Sequence, residues 1–295
     1  MNSRKKDVGK VLVFGKNGQV GAQILRLLSA QGACCQGADI DDIDLTDTDR
    51  IKEFMVSANP DWVINCAAHT AVDRAQSEEQ LSHTLNVAAP QAMANACAAL
   101  GCGFIHYSTD YVFDGTAAMP YAEDDLGNPQ SVYGKTKYAG EQAVLSVLPA
   151  AIIFRTAWVY SRNGSNFVNT MLRLAGEKSE INVVDDQTGS PTLADDLARV
   201  TVNIINKIAA GDVEHQGGVF HATGKGEITW FEFCKAILEL SKIDNVNIVP
   251  ISTSDYPTPA PRPGYSVLSN KKLKDVYAEE MPQWKDSLAR CLLEQ

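Results

Sequence analysis

The chain has 295 residues, 45% of them hydrophobic and 21% charged, the composition of a folded globular protein rather than a disordered or fibrous one. Lys and Arg number 26 against 36 Asp and Glu, a net charge of −10. That balance argues against nucleic acid or an anionic membrane as the main partner and leaves an anionic small molecule open, because local donors can bind one.

The opening residues, MNSRKKDVGK, carry charge with no apolar run behind them to make a signal peptide. Lys10–Phe14 (KVLVF) reads as a buried strand and Gly18–Ala30 as a helix. Ala33–Asp39 is a second, weaker strand, and Thr46 is expected to cap a helix running to about Ala58. Asp61–Cys66 is a third strand. Ser77 to Leu100 reads as helix, interrupted near Pro90. Phe104–Ser108 is a fourth strand, Ser131–Val147 a helix and Ala151–Thr156 a fifth strand. Strands alternating with helices of this length imply βαβ units, and right-handed crossovers wind them into an α/β, Rossmann-type, doubly wound parallel sheet. The longest stretch without Asp, Glu, Lys or Arg, Thr84 to Thr109, is broken by Asn86, Pro90, Gln91, Asn95, Gly101 and Gly103. Helix followed by strand explains it better than a membrane span.

The second half is less regular. Phe167–Glu177 and Thr192–Lys207 read as helices, Val219–Thr223 as a further core strand, and Thr229–Leu240 as a helix capped by Thr229. Tyr256–Gly264 carries four prolines and reads as an extended loop. The expected division is a Rossmann domain over 1–157 plus about 188–222, and a smaller α/β C-terminal substrate domain over 158–187 plus 223–295. The seven cysteines, Cys34, Cys35, Cys66, Cys97, Cys102, Cys234 and Cys291, contain no C-x-x-C spacing. They read as buried free thiols in a reducing compartment, which makes the expected location cytoplasmic.

Two motifs carry chemistry. Gly15-Lys16-Asn17-Gly18-Gln19-Val20-Gly21 follows the first strand and opens the first helix. Gly15 permits the tight turn, Gly18 lets the backbone approach a pyrophosphate, and Gly21 lets the helix pack on the sheet. The helix N-terminus offers free N–H groups to the phosphates. Asp39 ends the second strand where a ribose-binding acid belongs, which favours NAD. It is equally readable as part of a solvated acidic turn with Asp41, Asp42 and Asp44, and Lys16 is placed to attract a 2′-phosphate, so the choice between NADH and NADPH stays open.

The second motif is Tyr133-x-x-x-Lys137. Positions i and i+4 share a helix face, which brings a phenol and an ammonium into one pocket. A nearby cation favours the phenolate, and such a phenol can exchange a proton with a carbonyl or alcohol oxygen. The spacing alone is common. Here the fourth strand also ends in Ser108-Thr109-Asp110, and ligands gather at the carboxyl ends of parallel strands. A hydroxyl there can hydrogen-bond the same reacting oxygen. His106, inside that strand, reads as structural.

Glycine loop, strand-end hydroxyl and Tyr-x-x-x-Lys, in that order, resemble the extended short-chain dehydrogenase/reductase family, and within it the branch acting on dTDP-linked 4-keto sugars. FGKNGQVG (Phe14–Gly21), NCAAHTAVD (Asn65–Asp73), IHYSTDYVF (Ile105–Phe113), FRTAWVY (Phe154–Tyr160), NFVNTMLRL (Asn166–Leu174), DQTGSPT (Asp186–Thr192) and RPGYSVL (Arg262–Leu268) carry the likeness. The resemblance implies that Gly18, Gln19 and Val20 lie on the cofactor pyrophosphate and that Asp39, Asp44 and Leu45 line its adenosine side. It further implies that Ala68, His69 and Thr70 touch cofactor ribose and phosphate and that Tyr107 contacts the cofactor. Thr109, Asp110, Trp158, Asn166, Gln187 and Arg262 would bind the sugar nucleotide. Tyr133 would donate the proton, with Lys137 binding the nicotinamide ribose and setting the acidity of Tyr133.

The implied reaction is reduction of the C4 ketone of dTDP-4-dehydro-L-rhamnose by NADPH or NADH, in a monomer or homodimer. Some family members bridge a dimer with Mg²⁺ through an acid early in the first helix. Here that stretch is Ala22-Gln23-Ile24, with no carboxylate, and no metal ligand set stands out. Rival readings are a sugar-nucleotide epimerase or dehydratase, and a non-catalytic regulatory subunit like the methionine adenosyltransferase β subunit. A dehydratase of this fold typically places an acid directly after Thr-Asp, where this chain has Tyr111. The regulatory reading would suit degraded catalytic positions, whereas Thr109, Tyr133 and Lys137 are all present.

Overall fold

The computed structural model describes residues 8–293. The charged segment at 1–7, on which the reading of no signal peptide rests, lies outside the described residues, as do the last two. The first half runs β1 (Val11–Phe14), α1 (Gln19–Ala30), β2 (Cys35–Ala38), α2 (Thr48–Ala58), β3 (Trp62–Asn65), α3 (Val72–Ala75), α4 (Glu79–His83), α5 (Ala89–Leu100), β4 (Gly103–Thr109), α6 (Val132–Val147) and β5 (Ile152–Thr156). It continues through β6 (Val159–Tyr160), α7 (Phe167–Glu177), β7 (Glu180–Val184), β8 (Thr188–Gly189), β9 (Thr192–Leu193), α8 (Ala194–Ala210) and β10 (Gly218–His221). The last stretch holds β11 (Ile228–Thr229), α9 (Trp230–Leu240), β12 (Asn247–Ile251), α10 (Lys271–Tyr277) and α11 (Trp284–Leu293).

Six strands make one all-parallel sheet in the order β10-β5-β4-β3-β1-β2. Both its faces are covered, which is why β1 and β3 are buried at every position and apolar except at Asn65. Ile24 and Leu28 of α1, Leu197 to Ile205 of α8, and Leu273 and Tyr277 of α10 pack on one face. Ile51 and Met55 of α2, Met93 and Cys97 of α5 and Val144 of α6 pack on the other. A separate apolar cluster joins α7, β7, α9 and α11 through Val168, Ile181, Phe233 and Leu288. The chain passes from β1 to β2 and returns to place β3 on the other side of β1. The carboxyl ends of β1 and β3 therefore flank the crevice where such sheets bind ligands.

Local details depart from the sequence expectation in three places. The second strand is shorter than Ala33–Asp39, starting at Cys35 and ending at Ala38. Asp47, not Thr46, caps α2 by accepting from the Arg50 N–H at 3.2 Å, because Thr46 already spends its N–H and hydroxyl on Asp44 (2.9 and 2.8 Å). The break near Pro90 takes the form of a π-helical turn over Thr84–Ala88. Proline offers no N–H to the carbonyl four residues back, so the Asn86 carbonyl leaves the helical ladder. A Cβ on Gly140 of α6 would lie 2.0 Å from that oxygen, so only glycine lets α6 approach this closely.

Ser131 caps α6, accepting from the Gly134 N–H at 3.1 Å. Tyr133, Lys137 and Glu141 then fall on one inward face, four residues apart. Glu141 is fully buried. It meets Arg155 of β5 in a two-pronged pair, Nε to Oε1 at 2.9 Å and Nη2 to Oε2 at 2.7 Å, and accepts from Ser108 of β4 at 2.5 Å. Removing one charge leaves the other buried and unpaired, at a cost of about 3–5 kcal/mol. Glu141→Gln and Arg155→Met should each lose stability on that scale in urea unfolding. Glu141→Leu combined with Arg155→Met should cost less than the two single losses added; simple additivity would show that the pair is not the fastening.

Candidate active site

The carboxyl ends of the central strands open onto one continuous cleft of about 610 Å³. Its walls include Gly15, Gly18, Gln19, Val20 and Asp39 at one end, Ala68 and Thr70 beside them, and Thr109, Asp110, Tyr133 and Lys137 in the middle, with Tyr107 below. Trp158 and Trp230 also line it. The two motifs singled out in the sequence thus share one space.

The glycine loop fits a dinucleotide diphosphate. Gly15 has φ +78, and a Cβ there would sit 2.8 Å from the Ala67 nitrogen. A Cβ on Gly21 would sit 2.2 Å from the Gly15 carbonyl, so the loop folds tightly onto the start of α1 only with glycines. Gly18 caps α1 with no side-chain hydrogen bond, which leaves the helix N-terminus open to an anion. Asp39 accepts from the Asn17 N–H at 3.0 Å and bends the loop toward β2. Lys16 reaches Asp42 at 2.5 Å on the exposed rim.

Around α6 the geometry is that of an acid held ready. The Thr109 hydroxyl donates to Asp110 Oδ1 at 2.9 Å, and Thr109 and Tyr133 line the same part of the cleft. Burial pushes the Tyr133 phenol up to about 12, against the pull of Thr109 and with a small push from the Asp110 carboxylate. The Lys137 amine, lowered to about 8 by burial, donates to the Tyr107 carbonyl at 2.6 Å and lies 3.4 Å from His106 Nε2. No hydrogen bond joins Lys137 to the phenol among the described residues. The upward shift of Tyr133 comes from burial. His106 is fully buried between Lys137 and Asn65, and burial holds its imidazole well below the ordinary range. Asp110 is also buried; burial raises its carboxyl to about 6, and Oδ2 has no hydrogen-bond partner.

Several expected site residues stand outside the cleft lining, each for a visible reason. Asp44 is turned onto Thr46, and Leu45 packs against the core beneath β1. His69 is tied at both ring nitrogens, Nε2 to Glu78 at 2.9 Å and Nδ1 to Ser82 at 2.8 Å. Asn166 caps α7, and its amide donates to Gln19 Oε1 at 3.0 Å and the Ser161 carbonyl at 2.8 Å. Gln187 donates to Thr253 at 2.9 Å. Arg262 pairs with Asp73 at 2.8 Å and borders a smaller pocket with Tyr111, Gln130 and Ser131.

The structure also adds residues the sequence reading lacked. Trp230 stacks on Trp158 at 3.4 Å between ring centroids and 6° between planes, a pairing across 72 positions that no local pattern announces. Asn86 bridges from the π-turn to the His69 N–H (2.9 Å), the His69 carbonyl (3.2 Å) and Thr136 (3.1 Å). It joins the loop after β3 to the helix bearing Tyr133. Glu141 was legible in principle, four residues beyond Lys137. Among the described residues no group of three or more His, Cys, Asp or Glu side chains is placed to hold a metal ion, and Gln23 accepts from Arg26 at 2.7 Å.

The family model described as RmlD substrate binding domain matches residues 9–295. The chain is 39% identical over 295 residues to the dTDP-4-dehydrorhamnose reductase of Salmonella typhimurium, covering 96% of this chain and 97% of that protein. It is 40% identical over 294 residues to that of Burkholderia thailandensis, covering 96% and 98%. Among solved structures, the dTDP-4-dehydrorhamnose reductase of Clostridium acetobutylicum superposes with a TM-score of 0.90 at 40% identity, over 97% of this chain and 100% of that one. The Bacillus anthracis enzyme in complex with NADP gives 0.90 at 34%, over 97% and 99%. With a family model matched over nearly its whole length and relatives at this identity, the chain belongs to the family described as RmlD substrate binding domain.

Proposed function

We propose that this protein reduces the C4 ketone of dTDP-4-dehydro-L-rhamnose to give dTDP-L-rhamnose, using NADPH or NADH, in the cytoplasm. The observation that carries the reading is the convergence of Tyr133, Thr109 and Lys137 in the cleft that begins at the glycine loop. Bound there, the reduced nicotinamide supplies the hydride. The chain's own residues do the rest. Gly18 and the open N-terminus of α1 hold the diphosphate, and Lys137 and Thr70 hold the nicotinamide-side ribose. Thr109 and Asp110 orient the sugar, with Trp158 bounding its far side; Gln187 and Arg262 are held by Thr253 and Asp73 and would have to leave them to reach the nucleotide. Tyr133 gives its proton to the oxygen that gains charge as the ketone is reduced. A phenol near 12 still carries its proton at neutral pH, and this suits a donor. The cofactor-binding role falls to the six-stranded sheet and its helices; the substrate role falls to the part built on α7, α9 and α11. No step uses Mg²⁺. A dehydratase reading is not favoured, since Tyr111 rather than an acid follows Asp110.

The deciding experiment follows absorbance of the reduced nicotinamide with purified protein and dTDP-4-dehydro-L-rhamnose. Tyr133→Phe should lower kcat by roughly 10²–10⁴ with cofactor affinity near normal. Near-normal single-turnover reduction by that variant would remove Tyr133 from the donor role.

Asp110 generates a second expectation. Its folded-state carboxyl ionises near 6 rather than at the usual 3.8, so the cost of ionising it inside the fold is present above about pH 6 and vanishes below the unfolded value. Asp110→Asn should therefore gain about 1–3 kcal/mol of stability at pH 8, with less gain at pH 4, while losing turnover. The unsubstituted protein should show a fall in kcat/KM as pH drops through 6, and Asp110→Asn should lose it. A pH profile unchanged by the substitution would exclude Asp110 from holding the sugar.

Cofactor choice rests on Lys16 and Asp39. Lys16 is free to leave Asp42 for a 2′-phosphate, and Asp39 can accept from a free 2′-hydroxyl. Lys16→Ala should weaken NADPH roughly tenfold, the worth of one charge-assisted hydrogen bond, and leave NADH nearly unchanged in fluorescence titration. Equal loss for both cofactors would refute the assignment.

A further inference from the structure

His106 is fully buried beside α6 and takes no part in the chemistry described so far. It stands opposite Asn65 in the register of β3 and β4. Its ring packs on Phe104, two positions back on the same strand face, at 6.3 Å between centroids and 16° between planes. Both ring nitrogens meet a polar group. Nδ1 is 3.1 Å from the Asn65 side-chain nitrogen, and Nε2 is 3.4 Å from the Lys137 amine. Turning the ring over would put carbons at both contacts.

These neighbours fix where the imidazole proton sits. The Ala67 N–H donates to the Asn65 side-chain oxygen at 3.0 Å, which leaves the amide nitrogen facing His106. An amide nitrogen donates and does not accept, so Nδ1 is the acceptor. A neutral imidazole carries one proton, and burial keeps His106 neutral. The proton is therefore on Nε2, aimed at Lys137. The same amine donates to the Tyr107 carbonyl at 2.6 Å. A neutral amine satisfies both contacts: it gives a hydrogen to the carbonyl and accepts from Nε2–H with its lone pair. An ammonium has no lone pair and meets the N–H as a second donor.

The other groups facing the amine do not reverse this preference. On α6, the Glu141 carboxylate favours the charged amine, but it is already engaged by Arg155 and Ser108. Tyr133, one turn earlier, keeps its proton at neutral pH. At the end of β3, the Cys66 thiol is pushed up by burial and is also neutral. We infer that His106 is a positioning residue for the reduction: its Nε2–H, aimed by Asn65, faces the Lys137 amine as a donor and eases release of that amine's proton. The consequence for turnover rests on the proposed function, whereas the tautomer and the amine's titration are properties of the resting protein.

The test follows the full-length, cofactor-free protein by NMR, with ¹⁵N-labelled histidine and ¹³C-labelled lysine, from about pH 6 to 10. His106 should read as the Nε2–H tautomer throughout. Its Nε2 signal should shift with the same midpoint as the Lys137 side chain, about 8, because the amine becomes an acceptor only when neutral. His106→Asn keeps an acceptor for Asn65 and deletes the donor facing Lys137. In that variant the Lys137 midpoint, and the alkaline limb of kcat/KM, should rise by roughly half to one pH unit, the worth of one ordinary hydrogen bond. His106→Leu, which keeps water out, should raise them as well; a rise confined to the Asn variant would point to water entry and overturn the role. So would an Nδ1–H tautomer, an imidazolium at neutral pH, a His106 signal that stays flat while Lys137 titrates, or a midpoint that is unmoved or lowered. The spectra of the unmutated protein stand whether or not either variant folds. A protein that titrates as expected but does not reduce dTDP-4-dehydro-L-rhamnose would remove the proposed function and leave this pairing in place.

Discussion

The buried pair between Glu141 and Arg155 is the constraint on which the cleft depends. Two charges fully removed from water require close geometry and hydrogen bonds, and here Ser108 and the two-pronged guanidinium supply them to Glu141, while Arg155 Nη1 is buried without a hydrogen-bond partner. The guanidinium also lies 5.1 Å over the Phe113 ring and 5.9 Å over Tyr138. Because Glu141 sits two helical turns beyond Tyr133 on the same face, fixing it against β4 and β5 fixes the axial position of α6. The height of the phenol above Thr109 and the reach of Lys137 to the Tyr107 carbonyl follow from that one fastening. Gly140, next to Glu141, sets how deeply the helix sinks, through its close approach to the Asn86 carbonyl.

Burial then decides the chemistry. The same removal from water that makes the ion pair demanding raises the phenol of Tyr133 and the carboxyl of Asp110 and lowers the amine of Lys137. Each shift moves a group toward its neutral form, as desolvation requires. For Tyr133 this retains the proton that a reduction consumes. For Lys137 it keeps the amine mostly protonated at neutral pH while bringing its titration within reach of mildly alkaline conditions. The cation sits on a backbone carbonyl, so its charge is spent on the β4 strand end before any ligand arrives.

Much of this was legible before any coordinates. Apolar runs alternating with amphipathic ones give the strands of the parallel sheet within a residue or two, and α7 begins and ends at the residues its periodicity indicates. The glycine loop and the Tyr133–Lys137 spacing are local patterns whose placement follows from strand-then-helix order. What escaped depends on partners distant in the chain. His69, Asn166 and Gln187 carry the right chemistry in the right segments, but each is consumed by a neighbour that spacing cannot reveal. Trp230 enters the cleft because Thr229 starts a helix opposite Trp158, a fact of tertiary packing. The capping of α2 by Asp47 was a contest between adjacent side chains, settled by the turn Asp44 makes with Thr46.

The segment after β5 shows how the two ends of the cleft are joined. Trp158 has φ +49, a left-handed conformation costing on the order of 1–3 kcal/mol for a bulky residue unless its surroundings enforce it. They do: Trp230 covers one face of the indole, and Gly189 approaches so closely that a Cβ there would lie 2.4 Å from it. Immediately beyond, Gln19 of the glycine loop receives hydrogen bonds from Ser161 at 2.9 Å and Asn166 at 3.0 Å. Gln19, which opens α1 at the glycine-loop end of the cleft, therefore holds the strap that carries Trp158. Asn166, by giving up its amide to Gln19 and its carbonyl oxygen to the first turn of α7, contributes to the cleft as a brace between its two halves rather than as part of its lining.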